Sequence, residues 1–399
     1  MIDDTYVIEG FRFSAVSAGI KHADSTRPDL GLIVAESPAT TVGLTTTNLV
    51  YAAPVAVTRQ RLAGGRCSAV LMNSGNANAF TGDRGMKDAL ELTEAAAKCL
   101  GLAPELVIPM STGVIGNPLP TGRMMQRIPD LVNGLAPGRL ADVAHAIMTT
   151  DTKPKTVSRD VELSSGPLRM AGLAKGSGMI APNMATMLAV IMTDVAADAG
   201  FLRDALAQAA GSSFNAVTID GDMSTNDTVI VMAGGSRNPR MLTDKADQEA
   251  FSALLHEVCL DLARQLAGDG EGVTKVVEIR VAGAADKHSA ARVARTVAES
   301  LLVKTAFNGE DPNWGRIVCA AGRAGVPFDP DRLDLFIGDV PIVRDGILVE
   351  GDWESAAHSV MKLREFSVTL DMKAGDAQAR ILTTDLSRDY VSINADYRS

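Results

Sequence analysis

The sequence predicts a mixed α/β protein in which helices cover the faces of sheets. Three observations lead there: strand-like runs alternate with amphipathic stretches in the first part, a continuous branched apolar run lies near the middle, and the C-terminal part returns to strands around one helix. The first strands are expected at Leu30 to Glu36 and Ser68 to Met72. They precede a helix from Met86 to Leu100, where Ala89, Leu90, Leu92, Ala96, Ala97 and Leu100 recur at helical spacing. Val107 to Met110 is an apolar strand, Arg139 to Met148 a helix, Thr156 to Leu163 an alternating strand, and Leu168 to Lys175 another extended segment. TMLAVIM, from Thr186, has the character of a strand buried on both faces, and a helix is expected over Phe201 to Ala210. A strand at Thr228 to Met232 is followed by long helices over Gln248 to Leu266 and Ser289 to Val303. The second of these has apolar positions at Ala291, Val293, Ala294, Val297, Leu301 and Leu302. Strands at Leu333 to Ile337, Phe366 to Leu370 and Arg380 to Leu382, with a helix over Glu354 to Leu363, complete the pattern.

Composition narrows the classes of function. With 399 residues, 46% of them hydrophobic and 22% charged, the chain has ordinary globular usage and length enough for two or three domains. No Pro-, Ser- or Gly-rich linker and no internal repeat marks a boundary. The net charge of −10 argues against a broad phosphate-binding face, so nucleic acid is not an expected partner. Met187 to Met192 is the longest aliphatic run near the centre and is too short for a bilayer, and MIDDTYVIEG lacks the basic start of a signal peptide. Residence in the cytoplasm, with no membrane partner, is the expectation. Cys67, Cys99, Cys259 and Cys319 show no CxxC spacing, which suits reduced thiols in a core.

The motifs need weighing against plainer explanations. GSGMIA, Gly176 to Ala181, fits the dinucleotide fingerprint and has Asp194 at a suitable distance, but Pro182 and Asn183 stand where the helix should open. A Gly-rich structural loop is the better reading. Lys175 replaces the first glycine of a nucleophile elbow, so Ser177 is not an elbow serine. The histidines, His22, His145, His256, His288 and His358, form no HExxH or close pair, and the acidic runs NGEDPN and DGDMSTND lack EF-hand ligand order. No metal is expected.

KGSGMIAPNMATML, Lys175 to Leu188, remains: a Gly/Pro-punctuated loop that runs into the apolar strand at Thr186. From pattern alone Thr186 is a strand-starting threonine. The segment nevertheless resembles the autocleavage site of the ornithine acetyltransferase family, the bifunctional glutamate N-acetyltransferases of the arginine pathway. The resemblance extends through NSGNANAFTGDRG from Asn73, MSTGVIG from Met110, TTDTKPK from Thr149, FNAVTIDGDMSTNDT from Phe214, GEGVTK from Gly270, NGEDPNWGR from Asn308 and the closing DYVSINADYRS. Phe80 stands where many relatives carry a smaller residue, and Ser399 ends the chain where threonine is common.

This resemblance implies the self-processing fold shared with aminopeptidases of related folding. It also implies scission of the Ala185–Thr186 bond into an α chain of residues 1–185 and a β chain of residues 186–399. Thr186 would then be the nucleophile, with its own freed α-amine as base. Thr112 and Gly113 match the oxyanion hole. Thr152, Lys175, Thr186, Glu271, Asn394 and Ser399 match substrate-binding positions. Lys175 suits a substrate carboxylate, Glu271 suits the ornithine side-chain ammonium, and a site role for the last residues requires a docked C-terminal tail. The implied reaction moves acetyl from N-acetylornithine to glutamate with no cofactor, in an α2β2 assembly. It leaves open whether acetyl-CoA is a second donor. A self-processing aminopeptidase or amidase is the alternative enzyme, and a nucleotide-binding module built on GSGMIA is the non-enzymatic one.

Overall fold

The apolar run after Thr186 is placed in the interior of a sheet, as its lack of alternation requires. The structure, a computed structural model, describes residues 6–181 and 187–396. Its described residues divide into two compact units, one within 6–181, 187–215 and 223–266, the other within 216–222 and 267–396.

The first unit is built on an eight-stranded sheet: β1 (Phe11–Val16), β2 (Leu30–Thr45), β3 (Arg66–Asn73), β4 (Val107–Ser111), β5 (Lys155–Leu163), β6 (Gly166–Lys175), β7 (Leu188–Ala196) and β8 (Thr228–Met241). The order is β4-β3-β2-β8-β7-β6-β5, and β1 pairs with the first half of β2. Strand β7 runs antiparallel to β6, with Lys175 opposite Leu188, and parallel to β8, with Leu188 opposite Thr228. Eight consecutive residues of β7, Leu188 to Val195, are buried.

Helices α1 (Ala53–Leu62), α2 (Gly82–Leu100), α3 (Thr121–Asn133), α4 (Leu140–Ala146), α5 (Ala199–Gly211) and α6 (Lys245–Gly268) accompany this sheet. On one face Leu140, Val143 and Ile147 pack with Leu173, Val190, Met192 and Ile230. On the other, Leu262 of α6 comes so close to Gly172 of β6 that an added Cβ would lie 3.2 Å from its methyl carbon. Helix α2 ends at Gly101, whose φ of 68° accepts the left-handed turn that returns the chain toward β4.

The second unit holds a six-stranded sheet in the order β12-β11-β10-β13-β9-β14. Its strands are β9 (Val276–Ala284), β10 (Asp334–Ile337), β11 (Val340–Arg344), β12 (Ile347–Leu348), β13 (Glu365–Asp371) and β14 (Ala377–Thr384). Helices α7 (Lys287–Ala298), α8 (Leu301–Asn308), α9 (Trp314–Gly322), α10 (Trp353–Met361) and α11 (Arg388–Asp396) complete it. Val293, Val297, Val303, Phe307, Ile317, Val368 and Leu370 share its core.

Three expectations need correction. The single helix foreseen over Ser289 to Val303 is broken: Ser300 takes an extended ψ of 113°, α8 starts anew, and Leu301 and Leu302 face solvent. The break turns Val303 and Phe307 into the core and buries Lys304, which donates to the Thr384 carbonyl and, at 3.1 Å, to the Thr384 hydroxyl. Second, a boundary between compact units does exist, at Leu266/Ala267, but it falls in the last turn of α6, where no linker composition could announce it. Third, all four cysteines are free thiols, yet only Cys67 and Cys259 are buried. Burial pushes the Cys67 thiol up to about 12.

Candidate active site

The asparagine-rich block after β3 builds the floor of the site. The Asn73 carbonyl accepts from the Thr112 N–H at 3.0 Å, and its side-chain Oδ1 accepts from the Ser111 hydroxyl at 2.6 Å. Asn76 Nδ2 donates to the carbonyls of Asn117 and Pro118. Asn226, from the segment leading into β8, donates to the carbonyls of Ala77 and Ser111 at 2.7 and 2.8 Å. These bonds hold the loop after β4 from both sides.

That loop requires glycine at its apex. Gly113 has φ of 133°, and an added Cβ would lie 2.4 Å from the Gly75 carbonyl carbon and 2.5 Å from the Asn76 nitrogen. Among the described residues nothing accepts from the Gly113 N–H, whereas the flanking N–H groups of Thr112 and Val114 bond to Asn73 and Gly75.

Lys175 reaches this loop from the end of β6. Its ammonium, buried with the rest of the side chain, donates to Thr112 Oγ1 at 3.1 Å and to Thr149 Oγ1 at 2.9 Å. An ammonium can only donate. The Thr112 hydroxyl therefore accepts from Lys175 and has its own hydrogen to give elsewhere. A hydroxyl and a backbone N–H on adjacent residues, backed by a buried cation, can stabilise a developing oxyanion.

Asp227 immediately precedes β8 and lies beside the residue that leads into β7. Its Oδ1 accepts from the Met187 N–H at 3.1 Å, and among the described residues its buried Oδ2 has no partner of hydrogen-bond geometry. Burial pushes this carboxyl well above the ordinary carboxylate range, against the opposing pull of the Met187 N–H.

The second unit carries Glu271 and Asn394. The GEGVTK loop is fixed by Asp385, which accepts from the Thr274 and Lys275 N–H groups at 2.9 Å and from the Thr274 hydroxyl at 2.6 Å. Gly272, at φ of 66°, lets α11 lie against the loop, since a Cβ there would be 2.4 Å from the Tyr390 nitrogen. Asn394 Nδ2 then donates to Glu271 Oε2 at 2.7 Å. The Tyr390 hydroxyl is raised by burial and by the Asp220 and Glu271 carboxylates.

Of the residues singled out from sequence, Thr112, Gly113 and Lys175 are together in the first unit, and Glu271 and Asn394 are together in the second. Thr152 is exposed and follows the buried Asp151. Ala185, Thr186 and Ser399 lie outside the described residues. Sequence reading missed Asp151, Lys155 and Thr149 as parts of the Lys175 network, though all three fall in the quoted TTDTKPK block. It missed Asp227 as well. GSGMIA connects two antiparallel strands instead of opening a helix, which removes the dinucleotide reading. Phe80 is 79% exposed with φ of 57°, so the departure noted there touches no core. Among the described residues no three His, Cys, Asp or Glu side chains are grouped to hold a metal, and no helix is long and apolar enough to cross a membrane.

The curated relatives give the class of protein to which this chain belongs. An arginine biosynthesis bifunctional protein from Syntrophotalea carbinolica is 50% identical over 393 residues, covering 98% of this chain and 99% of the relative. One from Geobacter sulfurreducens is also 50% identical, over 98% of this chain and all of that one. Among solved structures, a bifunctional protein of the same description from Bacillus halodurans is 38% identical, covering 51% of this chain and 96% of that chain with a TM-score of 0.49. An ornithine acetyltransferase in complex with ornithine, from Mycobacterium tuberculosis, is 37% identical over 45% of this chain and 94% of that one, with a TM-score of 0.41. The curated relatives define a bifunctional protein of arginine biosynthesis. The ArgJ family model matches residues 12–399, and the chain belongs to the ArgJ family.

Proposed function

We propose that this enzyme transfers the acetyl group of N2-acetyl-L-ornithine to L-glutamate through an acetyl-Thr186 intermediate. The observation that carries the reading is half identity to ArgJ proteins over nearly the whole chain. The Thr112 and Gly113 donors support it, because acyl transfer needs such donors and they stand at the end of β4.

The active site is made by self-cleavage. The Thr186 hydroxyl attacks the Ala185 carbonyl carbon, the peptide nitrogen leaves with a proton as the new α-amine, and water opens the resulting ester to leave a carboxylate on Ala185. The freed amine, with an ordinary pKa of about 7.7–8.0, is partly neutral near physiological pH and takes the hydroxyl proton in the next attack. Thr186 Oγ then bonds to the acetyl carbon, the Gly113 N–H and the Thr112 O–H hold the oxyanion, and ornithine leaves carrying the proton. Glutamate's neutral amine attacks the acetyl-Thr ester, its proton returns to Thr186 Oγ, and N-acetylglutamate departs.

Recognition follows charge. Glu271, with Asp220 and Asp222 also acting on Tyr390 nearby, provides a negative field suited to the ornithine ammonium. Lys175, Thr152, Asn394 and Ser399 complete the binding set, and the last two require a docked C-terminal tail. Acetyl-CoA is a candidate second donor, and the two chains assemble as α2β2 in the cytoplasm. Incubation with N-acetylornithine and glutamate, with intact-mass analysis of wild type beside Thr186→Ala, tests this reading. Wild type should form two chains and N-acetylglutamate, and the variant should remain one chain without activity. Activity in an uncleaved variant would sink it, and peptide hydrolysis without transfer would favour an aminopeptidase.

A further inference from the structure

Two buried lysines converge on one carboxylate behind the oxyanion loop. Asp151 and Lys155 have side chains at 0% exposure and are paired at 2.6 Å. Asp151 Oδ1 also accepts from the Gly176 N–H at 2.8 Å, and Oδ2 accepts from the Thr149 N–H at 3.0 Å. Lys175 lies 3.9 Å from Oδ2, an ion-pair distance beyond hydrogen-bond reach. Its hydrogen bonds run instead to Thr112 and Thr149. The two ammonium groups hold the Asp151 carboxyl well below the usual carboxylate range although burial pushes it up. A hydroxyl clasp between Thr150 and Ser177, at 2.6 Å, joins the same two segments.

Stability gives a poor reason for this arrangement, because desolvating a fully buried pair commonly offsets its attraction and apolar replacements are often as stable. Geometry gives a better one. We propose that Asp151 and Lys155 are positioning residues of the acyl-transfer site: Lys155 takes the short contact with Asp151, so Lys175 stays aimed at Thr112 and the Thr112 hydroxyl is turned toward the reacting oxygen. This rests on the reading of Thr112 and Gly113 as the oxyanion hole.

The test is a small cycle of variants, with kcat counted per cleaved β chain and KM measured for N-acetylornithine. In Lys155→Met the carboxylate loses its short partner, and Lys175 can cross the 3.9 Å gap to replace it. Fold is thereby protected, but the ammonium leaves Thr112. We expect kcat to fall about 10-fold or more with KM within about 3-fold, the pattern of a lost transition-state contact. Adding Asp151→Asn removes the competing carboxylate and should restore kcat to within about 3-fold of wild type, which a purely structural pair would not do. Thr149→Val leaves the pair intact, removes one of the hydrogen bonds that hold Lys175, and should lower kcat in the same way.

A folded Lys155→Met enzyme with kcat within about 2-fold of wild type overturns the proposal, as does a double variant no faster than Lys155→Met. Should Lys155→Met fail to fold, Lys155→Gln takes its place, because it removes the charge opposite Asp151 while keeping a donor: lowered kcat with KM within about 3-fold supports the proposal and unchanged kcat overturns it. Wild type in the same assay separates the two levels. Absence of transfer by wild type defeats the functional reading, whereas transfer by wild type with unaltered variants defeats only the positioning role.

Discussion

The network around Lys175 and the pair Glu271–Asn394 use similar polar atoms under opposite conditions. Lys175, Thr112, Asp151 and Lys155 are buried, and each polar group is fixed by named partners at 2.6–3.1 Å. Asn394 is exposed, and its bond to Glu271 rests on a helix of nine residues near the C-terminus. Buried polar groups keep one geometry because every alternative leaves something unsatisfied. An exposed pair can exchange its partner for water or ligand at little cost. The first arrangement suits stabilisation of a transition state, and the second suits recognition of a charged side chain.

Breaking the buried region should therefore change rate, and breaking the open one should change binding. The largest effect is expected from Thr112→Val, which keeps the shape of the side chain and removes its hydroxyl. Loss of one oxyanion donor costs on the order of 100- to 1000-fold in kcat. Steady-state kinetics on the folded variant check it, and a change confined to KM would reverse the contrast between the regions. Glu271→Gln should instead raise KM for N-acetylornithine by about 10-fold, a charge-assisted contact reduced to a neutral one, with kcat and thermal stability nearly unchanged. An unaltered KM would remove Glu271 from ornithine recognition.

The smallest expected effect concerns Asp227. Its carboxyl retains a proton in the folded protein at pH values where the unfolded chain has released it. Folding stability must then fall as pH rises from the ordinary carboxylate range toward the raised value, with a slope of at most about 1.4 kcal/mol per pH unit. Asp227→Asn is neutral throughout, so the difference between the two proteins in denaturant midpoint should widen from pH 5 to pH 8 in the variant's favour. Parallel curves would show that Asp227 does not carry this proton.

The contrast between the two regions also explains what could be read in the sequence. Strand β7 was legible because burial on both faces leaves an unbroken apolar run, and α2 because its apolar stripe keeps helical spacing. The break at Ser300 was hidden, since Leu301 and Leu302 continue the apolar pattern although they end up exposed. Helix α3 was missed because Pro129 lies inside it, and α11 because none of its residues is buried. Thr112, Gly113 and Lys175 came from family resemblance, and their local sequence alone reads as a turn and a strand end. Asp151 and Lys155 fall in the TTDTKPK block but were not singled out, because charged residues before and at the start of a strand are ordinarily solvated and only tertiary packing reveals full burial. Asp227 was invisible for the same reason.

The covalent intermediate offers the most direct measurement. Purified enzyme mixed with N-acetylornithine and no acceptor should release ornithine and accumulate a β chain bearing one acetyl group, located by peptide mass spectrometry on Thr186 and discharged on adding glutamate. An acetyl group on another residue, or full transfer activity by a chain that is unbroken and never acetylated, would contradict the account.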